Sequence, residues 1–231
     1  MRLKKIKIPF LFVSFILLSN KVYAGYSSFW MIGRNGGIQG NLSNWIGYSI
    51  VVVIILSTVT TIVIWKSYLS EWILKKSIRN DAIWDIENLK SHTRESIRRL
   101  NDSIQNKDLS KVSDLLTTEL FDELNSGVLE LTKKGEKNIL RCNIIRVLEI
   151  IGCEDYKNNS FDKYVAYIQG YMLDYTISET TGEIIKNKKR QVWKFSHTYH
   201  FIRVENQWKL EKINNSASTL DVLKTKNLFE K

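Results

Sequence analysis

Two histidines three residues apart are the first feature of this sequence that could do chemistry. His197 and His200 lie in a run of alternating residue types that is typical of a β-strand. Because side chains alternate between the two faces of a strand, these two point to opposite faces and cannot easily share one metal ion. No suitably spaced cysteine or carboxylate cluster accompanies them. We therefore predict no metal site.

A second group of residues could support acid–base catalysis. Asp174, Tyr175, His197 and Tyr199 lie in strand-like segments, and a cavity can move the pKa of a carboxylate or imidazole toward neutrality by desolvation. Asp174 and Tyr175 are adjacent, however, and point to opposite faces. The simpler interpretation has Asp174 solvated or supporting the following turn, and His197 and Tyr199 forming a pocket wall. We predict no enzyme and no cofactor.

The two cysteines could form a disulfide if the domain were exported. Cys142 and Cys153 both fall in one apparent strand, which separates them by about 36 Å at about 3.3 Å per residue. A disulfide needs the two Cα atoms within about 7 Å. We predict two reduced thiols, which suit a cytoplasmic location.

One strand carries an aromatic face. Trp193, Phe195, His197, Tyr199 and Phe201 alternate with Lys194, Ser196, Thr198, His200 and Ile202. Two interpretations stay open for the first set. It either lines a cavity that holds an apolar ligand, such as an acyl chain or an apolar peptide, or it forms the core that a half-buried sheet needs in any case.

The elements that position these residues are helices followed by strands. Apolar residues at helical spacing predict helices over 82–106 and over a block from 108 to about 135, with a cap at Thr117 and a C-terminus at Gly135. β-branched and aromatic runs then predict four strands at 139–151, 164–177, 191–204 and 208–213. Their short links require antiparallel pairing. The predicted domain is α+β over 82–215, with a C-terminal tail over 216–231 that could be helical.

Before this domain, the sequence carries segments typical of export and membrane insertion. Residues 1–24 have four early positive charges, a short apolar run and a small-residue site, as in a secretory signal peptide. Residues 25–44 are rich in glycine and predict a flexible tether. Residues 45–65 have no formal charge and are bracketed by Trp45 and Trp65, as expected for a transmembrane helix with an aromatic anchor at each interface.

Cations near the span predict its orientation. Lys66, Lys75, Lys76 and Arg79 follow it, in a basic juxtamembrane segment over 66–81, and Arg34 alone precedes it within reach. This bias predicts a single-pass protein with a cytoplasmic C-terminal domain. The four cations either contact anionic lipid headgroups or serve only as orientation signals.

The overall charge gives little support for nucleic-acid binding. The formal net charge is +10, but residues 66–231 hold 28 basic and 24 acidic side chains, interspersed along the chain. A nucleic-acid-binding domain usually concentrates its basic residues on one face. We therefore predict no nucleic-acid partner.

The order of several short segments resembles a known family. The segments are Ala82-Ile83-Trp84-Asp85-Ile86, Asn106-Lys107-Asp108-Leu109, Leu131-Thr132-Lys133-Lys134-Gly135 with Asn138, Gly170-Tyr171-Met172-Leu173-Asp174-Tyr175, Glu179-Thr180-Thr181-Gly182, Trp193 with Phe195, Phe201-Ile202-Arg203, and Trp208 with Leu210 and Ile213. They are similar to the Tim44-like domain of the mitochondrial import-motor subunit and its bacterial relatives. The resemblance implies a nuclear-transport-factor-two-like cone of helices on a bent antiparallel sheet around an apolar cavity.

The resemblance also implies a class of function. Mitochondrial relatives dock a chaperone and a translocation channel and bind anionic lipid, but this sequence lacks their long N-terminal chaperone-binding part. We predict a non-enzymatic, membrane-tethered scaffold of the bacterial inner membrane. It would be an adaptor in protein transport or assembly there, with membrane lipid and a protein at the membrane as partners. The alternative is an extracytoplasmic structural subunit of an envelope or secretion complex. A third hypothesis is a small-molecule enzyme that uses the cavity.

Overall fold

The structure is a computed structural model that describes residues 60–187 and 192–230. The chain divides into two compact units, Met1–Thr60 and Thr61–Lys231, and the second unit is described below. The signal peptide and the tether that the sequence predicts, and residues 45–59 of the predicted span with Trp45, lie outside the described residues. None of the helices in the described ranges is both long enough and apolar enough to cross a membrane.

Helices form the first part of the second unit. Helix α1 covers residues 60–77, and a 3-10 helix follows at Ala82–Trp84. Helix α2 spans Ile86–Gln105, a second 3-10 helix spans Leu109–Val112, and helix α3 spans Thr118–Lys133. The side chain of Asp85 caps α2 by accepting a hydrogen bond from the amide of Asn88.

The expected boundaries of α3 are confirmed. Thr117 is its N-cap and accepts a hydrogen bond from the amide of Leu120, and Gly135 follows its C-terminus at φ 63°, where a left-handed residue ends many helices.

Within residues 60–187 and 192–230, six strands form one sheet, in place of the four expected from the sequence. They are β1 (Glu136–Asp155), β2 (Lys163–Ser178), β3 (Ile184–Lys186), β4 (Val192–Val204), β5 (Gln207–Asn214) and β6 (Asn227–Phe229). The order is β5-β4-β2-β1-β6, with β3 also paired to β2. All pairs are antiparallel except β1 with β6. Four long strands match the prediction, and the two added strands have three residues each.

The last described segment contributes to the sheet. Helix α4 spans Thr219–Lys224, with a capping box between Ser218 and Asp221. The chain then returns as β6 beside the C-terminal end of β1. Residues 216–231 were expected to be a tail that could be helical, and the structure gives a short helix and a strand there.

The larger core lies between one sheet face and helices α2 and α3. Leu89, Ile97 and Leu100 of α2 are buried against Ile150 and Ile168 of the sheet. At one end, the Tyr164 and Phe201 rings stack with centroids 4.5 Å apart, and Trp208 meets Tyr164 edge-on at 4.9 Å. This arrangement confirms the predicted α+β architecture, with an aromatic sheet face against helices.

The opposite sheet face is covered by α1 and α4. Ile62 and Val63 of α1 are buried with Val165, Tyr167 and Val222. Further along the same helix, Ile73 and Leu74 belong to the larger core instead. Helix α1 therefore crosses from one face of the sheet to the other at the β6 edge, where the Ser70 hydroxyl donates to the Asn227 amide oxygen over 2.8 Å.

A glycine permits the close approach of β1 and β2. A Cβ atom at Gly170 would collide with the carbonyl oxygen of Ile144 and meet the Phe195 ring at 3.0 Å. The register of β1 against β2 shifts between Cys142 and Ile144 and again between Ile145 and Val147. Bulges of this kind bend a strand, so a side chain at Gly170 would be incompatible with the local bend.

Candidate functional site

The five aromatic-face residues of β4 differ in burial along the strand. Phe195, His197, Tyr199 and Phe201 are buried, whereas 49% of Trp193 is exposed. The burial of Phe195, Tyr199 and Phe201 in the larger core shows that this face meets the helices.

Three of these five residues line one open pocket. Trp193, Phe195 and His197 contribute to a cavity of about 520 Å³ at the N-terminal half of β4. Its remaining lining is mixed in polarity and consists of Met172, Asp174, Asn187, Lys194, Ser196, Asn215, Ser216 and Ala217. Tyr199 and Phe201 are not part of that lining, and Phe201 is fully buried on Tyr164. An apolar ligand for this pocket stays a prediction.

The histidines of β4 lie on opposite sides of the sheet, as expected. Burial lowers the pKa of His197, and its Nδ1 lies 3.4 Å from the Tyr199 hydroxyl oxygen. Burial and the nearby Lys212 ammonium lower the pKa of His200. Within residues 60–187 and 192–230, no three histidine, cysteine or carboxylate side chains are grouped so that they could hold a metal ion.

Asp174 lines the same pocket as His197, but the two do not form an acid–base pair. His197 pairs across the sheet with Ile168, so Asp174 lies six residues further along β2, about 20 Å away in a straight strand. Burial raises the pKa of the Asp174 carboxyl group. A direct proton transfer between these two groups would need them within about 3 Å.

A second histidine site was not predicted from the sequence. His92 of α2 contacts the Tyr164 hydroxyl oxygen through Nδ1 at 3.0 Å, and it lines a cavity of about 450 Å³ with Ile83, Leu115 and Trp208. Burial lowers the pKa of His92. One indication of this site was present in the sequence: His92 directly precedes Thr93, which lies among the buried residues Leu89, Ile97 and Leu100 of α2.

The basic residues that follow the predicted span have different environments. Lys66 is buried and its Nζ donates to the carbonyl oxygen of Thr225 over 2.6 Å, so its assignment as a lipid contact is corrected. Lys75 is exposed and pairs with Glu71 at 2.7 Å. Lys76 lies over the Trp72 ring, 3.5 Å from its centroid, and Arg79 is exposed.

The outward face of α1 carries an apolar stripe that the sequence analysis did not identify. Ile64, Tyr68 and Trp72 follow one another at four-residue intervals and are 62%, 69% and 49% exposed. Residues four apart lie on the same face of a helix. Trp65, the second expected interface anchor, is half-buried on this helix.

Both cysteines lie in β1, as the sequence predicted. Cys153 is buried and has a free thiol, and burial raises its pKa well above the ordinary value. A thiol with a raised pKa is a poor nucleophile, which fits a structural role.

Together, the helices on a largely antiparallel sheet and the open pocket at one end define an α+β domain. A family model described as Tim44-like domain matches residues 71–215. The chain therefore belongs to the Tim44-like domain family.

Two solved structures are similar to the chain. The intermembrane space region of the chloroplast protein ARC6 is 9% identical, with a TM-score of 0.44 over 58% of this chain and 98% of that chain. A nuclear transport factor 2 (NTF2-like) superfamily protein from Salmonella enterica is 13% identical, with a TM-score of 0.37 over 58% of this chain and 94% of that chain. No curated protein matches the chain.

Proposed function

We propose that this protein is a non-catalytic adaptor, tethered to the inner membrane, whose cytoplasmic α+β domain holds a protein partner at the membrane surface. Proteins of the Tim44-like family associate with membranes and with protein partners. The separation of Asp174 from His197 favours a binding role over catalysis in the β4 pocket.

One observation carries the proposal: the segment after the uncharged stretch is part of the folded domain. Helix α1 is held by the bond from Lys66 to Thr225, by the bond from Ser70 to Asn227, and by the Ser67 hydroxyl donating to Glu149 over 2.8 Å. Residues 66–81 therefore do not form a free juxtamembrane segment. In a membrane-anchored chain, this arrangement leaves the span on the N-terminal side of α1.

The burial of Ile62 and Val63 also constrains where the proposed span ends. Side chains that contact Val165 and Tyr167 cannot face lipid at the same time. We place the C-terminal end of the span before Ile62, which leaves seventeen uncharged residues over 45–61, within the range of about 17–25 for a transmembrane helix.

Lipid contact in this proposal comes from the outward face of α1. Tyr68 and Trp72 are amphipathic and exposed, and such rings favour the headgroup region. Lys75 and Arg79 follow on the exposed part of the segment and can attract anionic lipid. Lys66 takes no part.

Reporter fusions after Lys231 test the topology. We expect a fluorescent protein that folds only in the cytoplasm to be bright, and alkaline phosphatase, which is active only after export, to be inactive. The opposite pair of results would contradict the adaptor proposal and support the extracytoplasmic subunit of an envelope complex.

Fluorescence quenching tests the lipid contact in the full chain reconstituted into vesicles. Headgroup-level spin-labelled lipid should quench wild-type tryptophan emission more than that of Trp72→Phe, and the difference should shrink in Lys75→Glu/Arg79→Glu with anionic vesicles. Trp193→Phe is the matched control, since Trp193 is equally exposed but lies on β4. Equal quenching in Trp72→Phe and wild type would contradict the proposal that α1 lies at the membrane surface.

A further inference from the structure

We propose that the open edge of β4, from Val192 to Ser196, binds an extended peptide segment of a partner, which adds a strand to the sheet and alternates apolar with acidic side chains. The proposal deepens the adaptor function, because it rests on a protein partner and names how that partner is held. The open edge is defined by these five residues.

The open edge exists because β5 is shorter than β4. The pairing of β2 with β4 runs without a register shift from Lys163 opposite Ile202 to Leu173 opposite Val192. On the other side, β5 pairs with β4 only from Thr198, which lies opposite Asn214. The outer side of β4 is therefore left uncovered by β5 over its first six residues.

Two backbone hydrogen bonds fix which groups face outward. The amide of Arg203 donates to the carbonyl oxygen of Asp162, at the start of β2, over 3.0 Å. The carbonyl oxygen of Ser196 instead accepts from the amide of Ala217, on the side away from β2, over 2.9 Å. Since these directions alternate along an extended strand, even-numbered residues of β4 direct N–H and C=O outward.

Val192 and Lys194 consequently present a donor and an acceptor each to the open edge. Within the part of the chain that the structure describes, no hydrogen bond reaches these four backbone groups from that side. The hydrogen bond from the Ala217 amide to the Ser196 carbonyl oxygen shows that this edge can bond to the backbone of a neighbouring segment. The chain turns away directly afterwards, because Ser218 caps α4.

Other edges of the sheet are modified in ways that discourage strand addition. β1 has three register shifts against β2, β6 has only three residues and lies beside α1, and Leu210 of β5 bonds to the carbonyl of Leu115. Bulges, short edges and covering segments are the usual protection of sheet edges. The open edge of β4 is regular by comparison.

The side chains beside the open edge specify the alternation of the added strand. Trp193 and Phe195 lie on the helix side, and Asp174 lines the same pocket there, so that side favours apolar over acidic residues. Val192 and Lys194 point to the other face of the strand by alternation, and Lys194, which also contributes to the pocket lining, attracts a carboxylate. An added strand thus places apolar side chains against Trp193 and acidic side chains near Lys194.

Charge also favours a partner peptide over a second copy of this chain. An antiparallel pair of two β4 edges would bring Lys194 close to the Lys194 of the other copy, and like charges on neighbouring strands destabilise pairing. Lys186 of β3 adds positive charge close in sequence, and three more cations at 188–190 lie outside the described residues. An acidic peptide meets no such repulsion.

Peptide binding to the full chain in detergent tests the proposal. The probe is a fluorescent five-residue peptide, Val-Glu-Val-Glu-Val with blocked ends, measured by anisotropy. We expect Lys194→Glu to weaken binding of this acidic peptide at least about tenfold. The same variant should bind the basic peptide Val-Lys-Val-Lys-Val more tightly than the wild type does. Lys209→Glu on β5 is the matched control and should leave binding within about twofold.

Backbone pairing is tested separately from side-chain contact. Alternate amides of an extended peptide point to opposite edges of the strand, so only one alternate set can donate to β4. N-methylation of that set removes its donors and should weaken binding at least about tenfold, whereas N-methylation of the other set should not. Val192→Pro, at the first residue of the strand where proline is tolerated, should weaken binding without loss of the folded state by circular dichroism. Indifference to both N-methylation patterns, or the absence of binding at millimolar peptide, would overturn the proposal.

The outcomes also separate this proposal from the adaptor function. If the chain associates with itself and Val192→Pro abolishes that association, the occupant of the open edge is a second copy of this chain. That result would overturn the choice of a partner peptide. Peptide binding by a domain that the reporter fusions place outside the cytoplasm would leave the open edge intact and contradict the adaptor. Cytoplasmic fluorescence without peptide binding would support the topology of the adaptor and overturn the proposal for the open edge.

Discussion

The β6 edge and the open edge of β4 differ in how their hydrogen-bonding groups are satisfied, and the difference separates stability from binding. At the β6 edge, the last described residues meet the first helix: Thr225 accepts from Lys66, and Asn227 joins Ser70 to the Cys153 amide. At the open edge of β4, backbone groups of Val192 and Lys194 meet no described residue. At the β6 edge, the polar groups of Lys66, Ser70 and Asn227 are hydrogen-bonded within the chain, whereas the open edge of β4 retains hydrogen-bonding capacity for another chain.

The largest expected effect compares two aromatic residues of β4. Phe201→Ala removes a fully buried ring stacked on Tyr164 and should lower the free energy of unfolding by about 3–5 kcal/mol. Trp193→Ala removes a half-exposed ring beside the open edge and should cost about 1 kcal/mol or less. Urea unfolding of the full chain in detergent measures both. Equal losses would mean that the strand is not divided into core and binding halves.

The next effect concerns the closed edge. Asn227→Ala removes the acceptor that the Ser70 hydroxyl and the Cys153 amide share. Each donor keeps a second acceptor, the carbonyl oxygens of Lys66 and Lys226, so the fold should be destabilised by about 0.5–1.5 kcal/mol. Hydrogen exchange should also become faster in residues 61–77. Asn215→Ala, in the exposed loop beside the open edge, is the matched control and should change the unfolding free energy by less than about 0.5 kcal/mol.

A smaller effect comes from pH. Burial lowers the pKa of His92, His197 and His200 below the ordinary value of 6.5. The unfolded chain therefore binds more protons than the folded chain below about pH 6.5, so stability should be complete above that pH and fall as the pH decreases. Urea midpoints at pH 7.5 and 5.5 measure the loss. His197→Gln should reduce the loss, and an unchanged loss in all three single glutamine variants would contradict the assignment.

The smallest energetic effect belongs to Lys194→Ser, which should change the unfolding free energy by less than about 0.5 kcal/mol. Hydrogen exchange along β4 gives the sharper measurement. The amides of Trp193 and Phe195 face β2 and should be protected, whereas those of Val192 and Lys194 should exchange faster. Uniform protection over 192–195 would show that the open edge is covered in the native protein.

Local chemistry was enough to predict much of the fold. The alternation in β4 identified its buried face, and Thr117 and Gly135 identified the ends of α3. The strands β3 and β6 were missed because three residues are too few to show a period of two. Their existence depends on pairing with β2 and β1, which a local pattern does not contain.

The environment of α1 depended on contacts far apart in sequence. Ile62 and Val63 belong to an uncharged run that is equally apolar whether it faces lipid or Val222. Lys66 has the same charge at a membrane surface as beneath Thr225, and these two residues are 159 positions apart. Three of the five aromatic-face residues meet in the β4 pocket, and no periodicity could show where β5 stops covering their strand.

The pairing of Lys66 with Thr225 and of Ser70 with Asn227 also sets an order of events during synthesis. These contacts join positions 159 and 157 residues apart, so helix α1 leaves the ribosome long before its partners exist. Contacts of such long range form late, because closing the intervening chain costs entropy that earlier contacts do not recover. Until the last few residues emerge, Lys66 and Ser70 lack these partners, and a chain that stops short of Thr225 would leave the buried Lys66 ammonium without its acceptor.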